Sequence, residues 1–208
     1  MITPSIPRLI EVMLSKEYQV YDKLNLDYNL NIVGIRNRNI VPESFDDTLV
    51  VFHRFQGYWR AFYYPVTTDP SVTYLISPLH PSGTAILKEG QYVSAYTIRP
   101  HKGKYLALCQ DYDHPTGVKV YRNNTGSGTL LLDENTVESG SRIGINIHKI
   151  SKNGSEDDST RDYSQGCTIF ANERHFQEFM LLCTLAAETI AKRFTYTLLN
   201  EADFTDKV

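Results

Sequence analysis

Thr48-Leu49-Val50-Val51-Phe52-His53-Arg54-Phe55-Gln56-Gly57-Tyr58-Trp59-Arg60-Ala61-Phe62-Tyr63-Tyr64 is the stretch whose reading decides the fold. Two runs of β-branched, aromatic and aliphatic residues flank Gln56-Gly57, and a two-residue turn between β-prone runs predicts a hairpin. The same texture continues on either side. Strands are expected over residues 29–35, 90–98, 104–111, 117–122, 129–132 and 142–148, punctuated by Gly, Pro, Asn and Asp clusters. Short strands at this spacing predict a mainly β domain.

Helical spacing marks the two ends of the chain. Ile6, Leu9, Ile10, Met13, Leu14 and Tyr18 predict a helix over 7–21, with Ser5 as cap and Pro7 in the first turn. Asn172 is a good N-cap, and Glu173 places a negative charge in the first turn, where the helix dipole favours it. Phe176, Phe179, Cys183, Ala186, Ala187, Ile190 and Phe194 then share one helical face, predicting a long helix over 172–198 packed on the β core. The expected class is therefore α+β and mainly β: a β-sandwich or mixed sheets with an N-terminal helical segment (1–28) and a main domain (29–208).

The 208 residues, 41% hydrophobic and 22% charged, suit one globular domain. A net charge of -3 gives none of the basic footprint that nucleic-acid binding leaves. Cys109, Cys167 and Cys183 make an odd count without a Cys-x-x-Cys pair, which argues against a disulfide framework and a structural zinc site. No apolar run reaches the roughly 18 residues of a membrane span. The first 14 residues lack the pattern of a signal peptide. Synthesis in the cytoplasm is expected, with release or carriage by another agent if the protein acts outside the cell.

Chemistry concentrates in Gly144-Ile145-Asn146-Ile147-His148 and Tyr163-Ser164-Gln165-Gly166-Cys167-Thr168. Alternation sends Ile143, Ile145 and Ile147 to one side, and Gly144, Asn146 and His148 to the other. A hairpin-like excursion of 18 residues separates His148 from Cys167. A free thiol titrates near pH 8.5, and an adjacent imidazole lowers it until the thiolate is common at neutral pH. Cys167 is thus the candidate nucleophile and His148 its base. Gly166 allows a tight turn and a close substrate approach. The Gly166 and Cys167 amides are candidates for an oxyanion hole, and Ser164 for a hydrogen bond at the rim.

The pattern His148, fifteen residues, then Ser164-Gln165-Gly166-Cys167 resembles the signature of the YkuD-type L,D-transpeptidases. Val66-Thr67-Thr68-Asp69-Pro70 and Gly90-Gln91-Tyr92 look like that family's strand-and-turn region ahead of the site, so the resemblance spans about residues 60–170. The chain also looks like YkuD-like proteins met in bacteriophage genomes. The resemblance implies acyl transfer on a peptidoglycan stem peptide through a Cys167 thioester, with His148 as base. Gly166, Ser164, Gln165 and Asn146 would surround the oxyanion and the substrate, with no metal or organic cofactor. Two positions depart from the family pattern: Gln165 stands where a His commonly precedes Gly-Cys, and Ile169 stands where Arg or Asn is usual. Hydrolysis instead of transfer, or a non-catalytic cell-wall-binding or virion protein with a degenerate site, follows as the alternative. Papain-like and NlpC/P60-type peptidases place Cys before His, the reverse of the order here.

Other signals read more blandly. Residues 123–134 have calcium-loop spacing without the early carboxylates, and predict a polar turn at Gly126 and Gly128. Cys109 and Cys183 lie in apolar patterns and predict inert buried thiols. His101 is expected on a solvated loop, with groove lining as the other reading. Residues 155–158 read equally as a surface loop or a lid between the two reactive residues. Arg142, Arg161 and Arg174 are candidates for a cation missing from the motif.

Overall fold

The computed structural model describes residues 1–150 and 164–205. In chain order the elements are α1 (Ile6–Ser15), β1 (Asn31–Arg36), β2 (Asp47–Phe55), β3 (Tyr58–Thr67), α2 (Val72–Ile76), β4 (Thr84–Leu87), β5 (Gly90–His101), β6 (Tyr105–Gln110), β7 (Val118–Asn123), β8 (Glu138–Gly140), β9 (Ile147–Lys149), β10 (Thr168–Phe170), α3 (Glu173–Thr189) and β11 (Arg193–Asn200). Eight strands close into a barrel in the order β1-β11-β5-β6-β9-β10-β3-β2, and β4-β7-β8 form a separate small sheet.

The predicted hairpin is present. Gln56 and Gly57 both sit at positive φ, and β2 and β3 pair in continuous antiparallel register from Phe55↔Tyr58 to Asp47↔Val66. Burial on both faces explains the unbroken apolar run of β2. Leu49 and Val51 join the main core, while Val50 and Phe52 join a second cluster with Leu9, Val12 and Met13 of α1. Ser5 caps α1 through the Arg8 amide. The helix ends at Ser15 instead of Tyr21, because the chain turns through Glu17 at φ 59.

The α+β class holds, but the architecture is a closed barrel and not a sandwich. The C-terminal helix stops at Thr189, short of 198. Arg193–Asn200 is a barrel strand, pairing parallel to β1 and antiparallel to β5. Phe194, Tyr196 and Leu198, spaced by two, are buried in the main core, and Phe194 belongs to this strand and not to the helical stripe. Tertiary pairing on both edges overrides the helical reading of a β-branched and aromatic run. The expected strand at 129–132 is irregular: Asn123 Nδ2 holds the Thr129 carbonyl at 2.8 Å, and the Thr125, Ser127 and Thr129 hydroxyls chain together. This is the polar turn expected there.

A buried charge cluster closes one end of β1. Arg36, fully buried, donates to Thr68 Oγ1 at 3.0 Å and to Glu89 Oε1 at 2.9 Å, and its Nε lies 3.4 Å from Asp69 Oδ1. Asp47 accepts from the Thr68 amide and hydroxyl, both at 2.7 Å. Among the described residues no helix is long and apolar enough to cross a membrane.

Candidate active site

A cavity of about 920 Å³ opens between the barrel wall and the small sheet, and Cys167 and His148 both line it. β9 and β10 run parallel, with Ile169 opposite His148 and Thr168 opposite Ile147. Parallel pairing of the two strands excludes the hairpin expected from sequence. In this register Asn146, His148, Cys167 and Ile169 project to the same side, while Ile147 and Phe170 enter the main core. The predicted alternation of Ile145 and Ile147 against Asn146 and His148 is thus present. However, the regular strand begins only at Ile147, because Gly144 adopts φ 91 and the chain bends there.

Gln110 causes that bend. Its Oε1 accepts from the Gly144 and Ile145 amides at 2.8 and 3.2 Å, and its Nε2 donates to the Gly140 carbonyl at 2.6 Å. Its own amide donates to Asn146 Oδ1 at 3.0 Å. That last bond fixes the orientation of the Asn146 amide: Oδ1 is the accepting side, so Nδ2 is the donor toward His101 Nδ1 at 3.4 Å. His101 therefore carries its proton on Nε2. It is buried, not solvated, and its ring stacks on His148 with centroids 4.2 Å apart.

His148 Nδ1 lies 2.8 Å from the Lys149 carbonyl. A carbonyl only accepts, so Nδ1 is the protonated nitrogen and Nε2 keeps its lone pair. Burial, and then the neighbouring His101, push the imidazole down to about 3; burial with Lys102 and Arg99 holds His101 down at about 4. The Cys167 sulfur accepts from the Asn146 amide at 3.3 Å and donates to the Gly144 carbonyl at 3.4 Å. Burial pushes this thiol up to about 11, the Asn146 amide offsetting it only in part. Among the described residues no hydrogen bond joins the sulfur to an imidazole. The expectation of a resting thiolate is corrected here: Cys167 is only 8% exposed, desolvation dominates, and both groups rest neutral.

The Cys167 loop is braced from below. Ser164 Oγ accepts from the Gly166 amide at 3.1 Å and donates to the Cys167 carbonyl at 3.2 Å, while Ser164 and Ser71 exchange two further bonds. Ser164 is fully buried, so it is a loop brace and not a rim residue. The Gly166 amide is committed to that brace and is not an available oxyanion donor. Gly166 itself stands at φ 107, and a Cβ there would meet the Ala85 carbonyl at 2.0 Å. Asn146 is committed to Gln110 and His101. Of the expected surroundings, Gln165 alone is exposed on the cavity wall.

Further residues complete the wall. His101 lines the cavity, the second of its two sequence readings, and ends β5 much as His148 lies in β9; Gln110, a buried polar residue closing an apolar strand, was missed by sequence reasoning. Arg99, Lys102, Arg122 and Arg142 bring cations to the cavity. Arg142 was a candidate for such a role. Arg174 does not line the cavity, and Arg161 and the lid candidate at 155–158 lie outside the described residues. Cys109 and Cys183 are buried, with thiols pushed up by burial. Among the described residues no group of three or more His, Cys, Asp or Glu could hold a metal ion. No family model, curated protein or solved structure matches the chain.

Proposed function

We propose that this protein performs cysteine-dependent acyl transfer on a peptide carbonyl, with Cys167 as nucleophile and His148 as general base. The observation that carries this reading is the shared cavity wall. The β9–β10 register sends the sulfur and an imidazole with a free Nε2 lone pair to the same side of adjoining strands, facing open volume. A neutral resting pair sets the order of events. The sulfur attacks the carbonyl carbon while its proton passes to His148 Nε2. Collapse of the adduct expels the amine, which takes that proton, and the thioester is then resolved by water or by a second amine. The resemblance of His148 and Ser164-Gln165-Gly166-Cys167 to the YkuD pattern supports a peptidoglycan stem peptide as the acyl donor, with L,D-transpeptidase or L,D-carboxypeptidase chemistry.

The test is intact-mass analysis of the folded protein after reaction with a carbapenem, which acylates a nucleophilic thiol by opening of its lactam amide. A single adduct at Cys167 is expected, absent in Cys167→Ala and formed roughly 100-fold more slowly in His148→Ala. Reaction of Cys167 no faster than that of glutathione would remove the nucleophile from the scheme.

A second reading, a non-catalytic grip on cell wall, draws on the engagement of the sulfur by Asn146 and Gly144. Equal co-sedimentation of wild type and Cys167→Ala with purified peptidoglycan, with an unchanged muropeptide profile, would favour it.

A further inference from the structure

The described wall of the cavity holding Cys167 and His148 has a charge opposite to that of the chain. The chain carries a net charge of -3, yet among the described residues Arg99, Lys102, Arg122 and Arg142 line the cavity against a single carboxylate, Glu138. That carboxylate is already engaged: Arg122 Nε and Nη2 reach its two oxygens at 2.8 and 3.3 Å. Asp111, beside Tyr112 in sequence, pairs with Arg193 at 2.7 Å. Among the described residues, Arg99, Lys102 and Arg142 have no carboxylate partner.

Two of these three cations are gathered at one place. The guanidinium carbons of Arg99 and Arg142 lie 4.0 and 5.8 Å from the centroid of the same Tyr112 ring. The ring attracts each cation, but it neutralises neither, and two guanidiniums at one ring repel each other. Arg99 Nη2 donates weakly to the Gln110 carbonyl at 3.4 Å, and its Nε is enclosed without a partner. A buried donor and clustered like charges of this kind call for an anion. Among the described residues none is at hand, and a ligand can supply it.

We infer that Arg99 and Arg142, with Lys102 at the rim, form an anion subsite that selects acyl donors bearing a free carboxylate. The inference rests on the cysteine chemistry proposed above and adds its specificity. Guanidinium forks match carboxylate and phosphate oxygens alike. A peptide acyl donor offers carboxylates, and that is the source the subsite takes.

The experiment uses two electrophiles of equal length, N-chloroacetyl-glutamate and its neutral diamide. In each, the Cys167 sulfur forms a bond to the methylene carbon as the carbon–chlorine bond breaks; chloride leaves and the thiol proton passes to solvent. At low salt the ratio of charged to neutral rates should exceed that of glutathione by about tenfold. It should fall to the glutathione value in Arg142→Gln, in Arg99→Gln, and in about 0.5 M sodium chloride. The fall should lie in the rate of the charged probe, and only Cys167→Ala should abolish reaction of the neutral one. Arg142 is exposed, so its variant keeps the test valid even if Arg99→Gln folds poorly.

A binding measurement that does not involve the sulfur separates the two failures. Glutarate should raise the melting temperature saturably, glutaramide should not, and Arg142→Gln should lose the shift. An inert Cys167 with an intact glutarate effect would sink the nucleophile and keep the subsite. A reactive Cys167 whose rate ratio matches glutathione, without a glutarate effect, would overturn the subsite. Stabilisation by inorganic phosphate but not glutarate would overturn the carboxylate assignment.

Discussion

Arg36 and the pair Arg99 and Arg142 show two ways of placing arginine in one small protein. Arg36 is fully buried and is answered inside the chain by Thr68, Glu89 and Asp69. Arg99 and Arg142 share a tyrosine ring beside an open cavity and are answered by no carboxylate among the described residues. The difference separates charge that holds the barrel from charge that addresses a ligand. Breaking the first kind should be costly. Arg36→Met leaves Asp69, Asp47 and Glu89 crowded without their cation, and should destabilise by about 3–5 kcal/mol in urea unfolding. Arg142→Gln should stay within about 0.5 kcal/mol of wild type in the same assay. Equal costs would erase the distinction.

The two glycines beside the reactive sulfur sharpen the same contrast on a smaller scale. Gly166 and Gly144 both hold positive φ, at 107 and 91. A Cβ on Gly166 would strike the Ala85 carbonyl of the small sheet at 2.0 Å, whereas nothing lies within 4 Å of one on Gly144. Gly166→Ala adds a backbone clash to conformational strain and should cost about 3 kcal/mol. Gly144→Ala adds strain alone and should cost about 1 kcal/mol. Thermal melts of the two variants measure the gap. Carbapenem acylation of Cys167 should fall further in Gly166→Ala, because the small sheet presses directly on the Cys167 loop.

How much of this was legible depends on the range of the interaction. The β2–β3 hairpin, the Ser5 and Asn172 caps and the buried state of Cys109 and Cys183 follow from local chemistry, and each could be read from neighbouring residues. Closure of the barrel could not. It depends on β11 entering between β1 and β5, and that pairing joins residues more than 90 positions apart. The reactive pair was legible as two residues, but their electrostatics were not. Neither His101 stacked on His148 nor the Gln110 clamp on Gly144 and Asn146 leaves a local pattern, because each meets its partner only through strand order. The same holds for the cavity cations, which come from β5, its following turn, β7 and the segment before β9.

The finest test of the comparison is pH, because the two regions titrate in opposite senses. Asp69 is pushed up to about 7 by burial and by Asp47, Asp46 and Glu89, against the pull of Arg36, and Asp47 shifts the same way. A carboxyl with a raised folded value stabilises fully below its unfolded value near 4, and that contribution is lost as pH rises toward 7. His148 and His101 are held down to about 3 and about 4. Imidazoles with lowered folded values contribute stability above their unfolded value near 6.5, and lose it as pH falls toward 3 to 4. Between about pH 4 and 6.5 the slopes therefore oppose, each at most about 1.4 kcal/mol per pH unit for every proton, and the wild type should respond weakly. Asp69→Asn removes one side, so its urea midpoint should drop more steeply on acidification than that of wild type. His148→Gln removes part of the other side and should flatten the slope or reverse its sign. A slope unchanged by Asp69→Asn would mean that Asp69 is ionised in the folded barrel and that Arg36 outweighs burial. The charge cluster would then be indifferent to pH over this range, and the cavity histidines alone would set the acid limit of the fold.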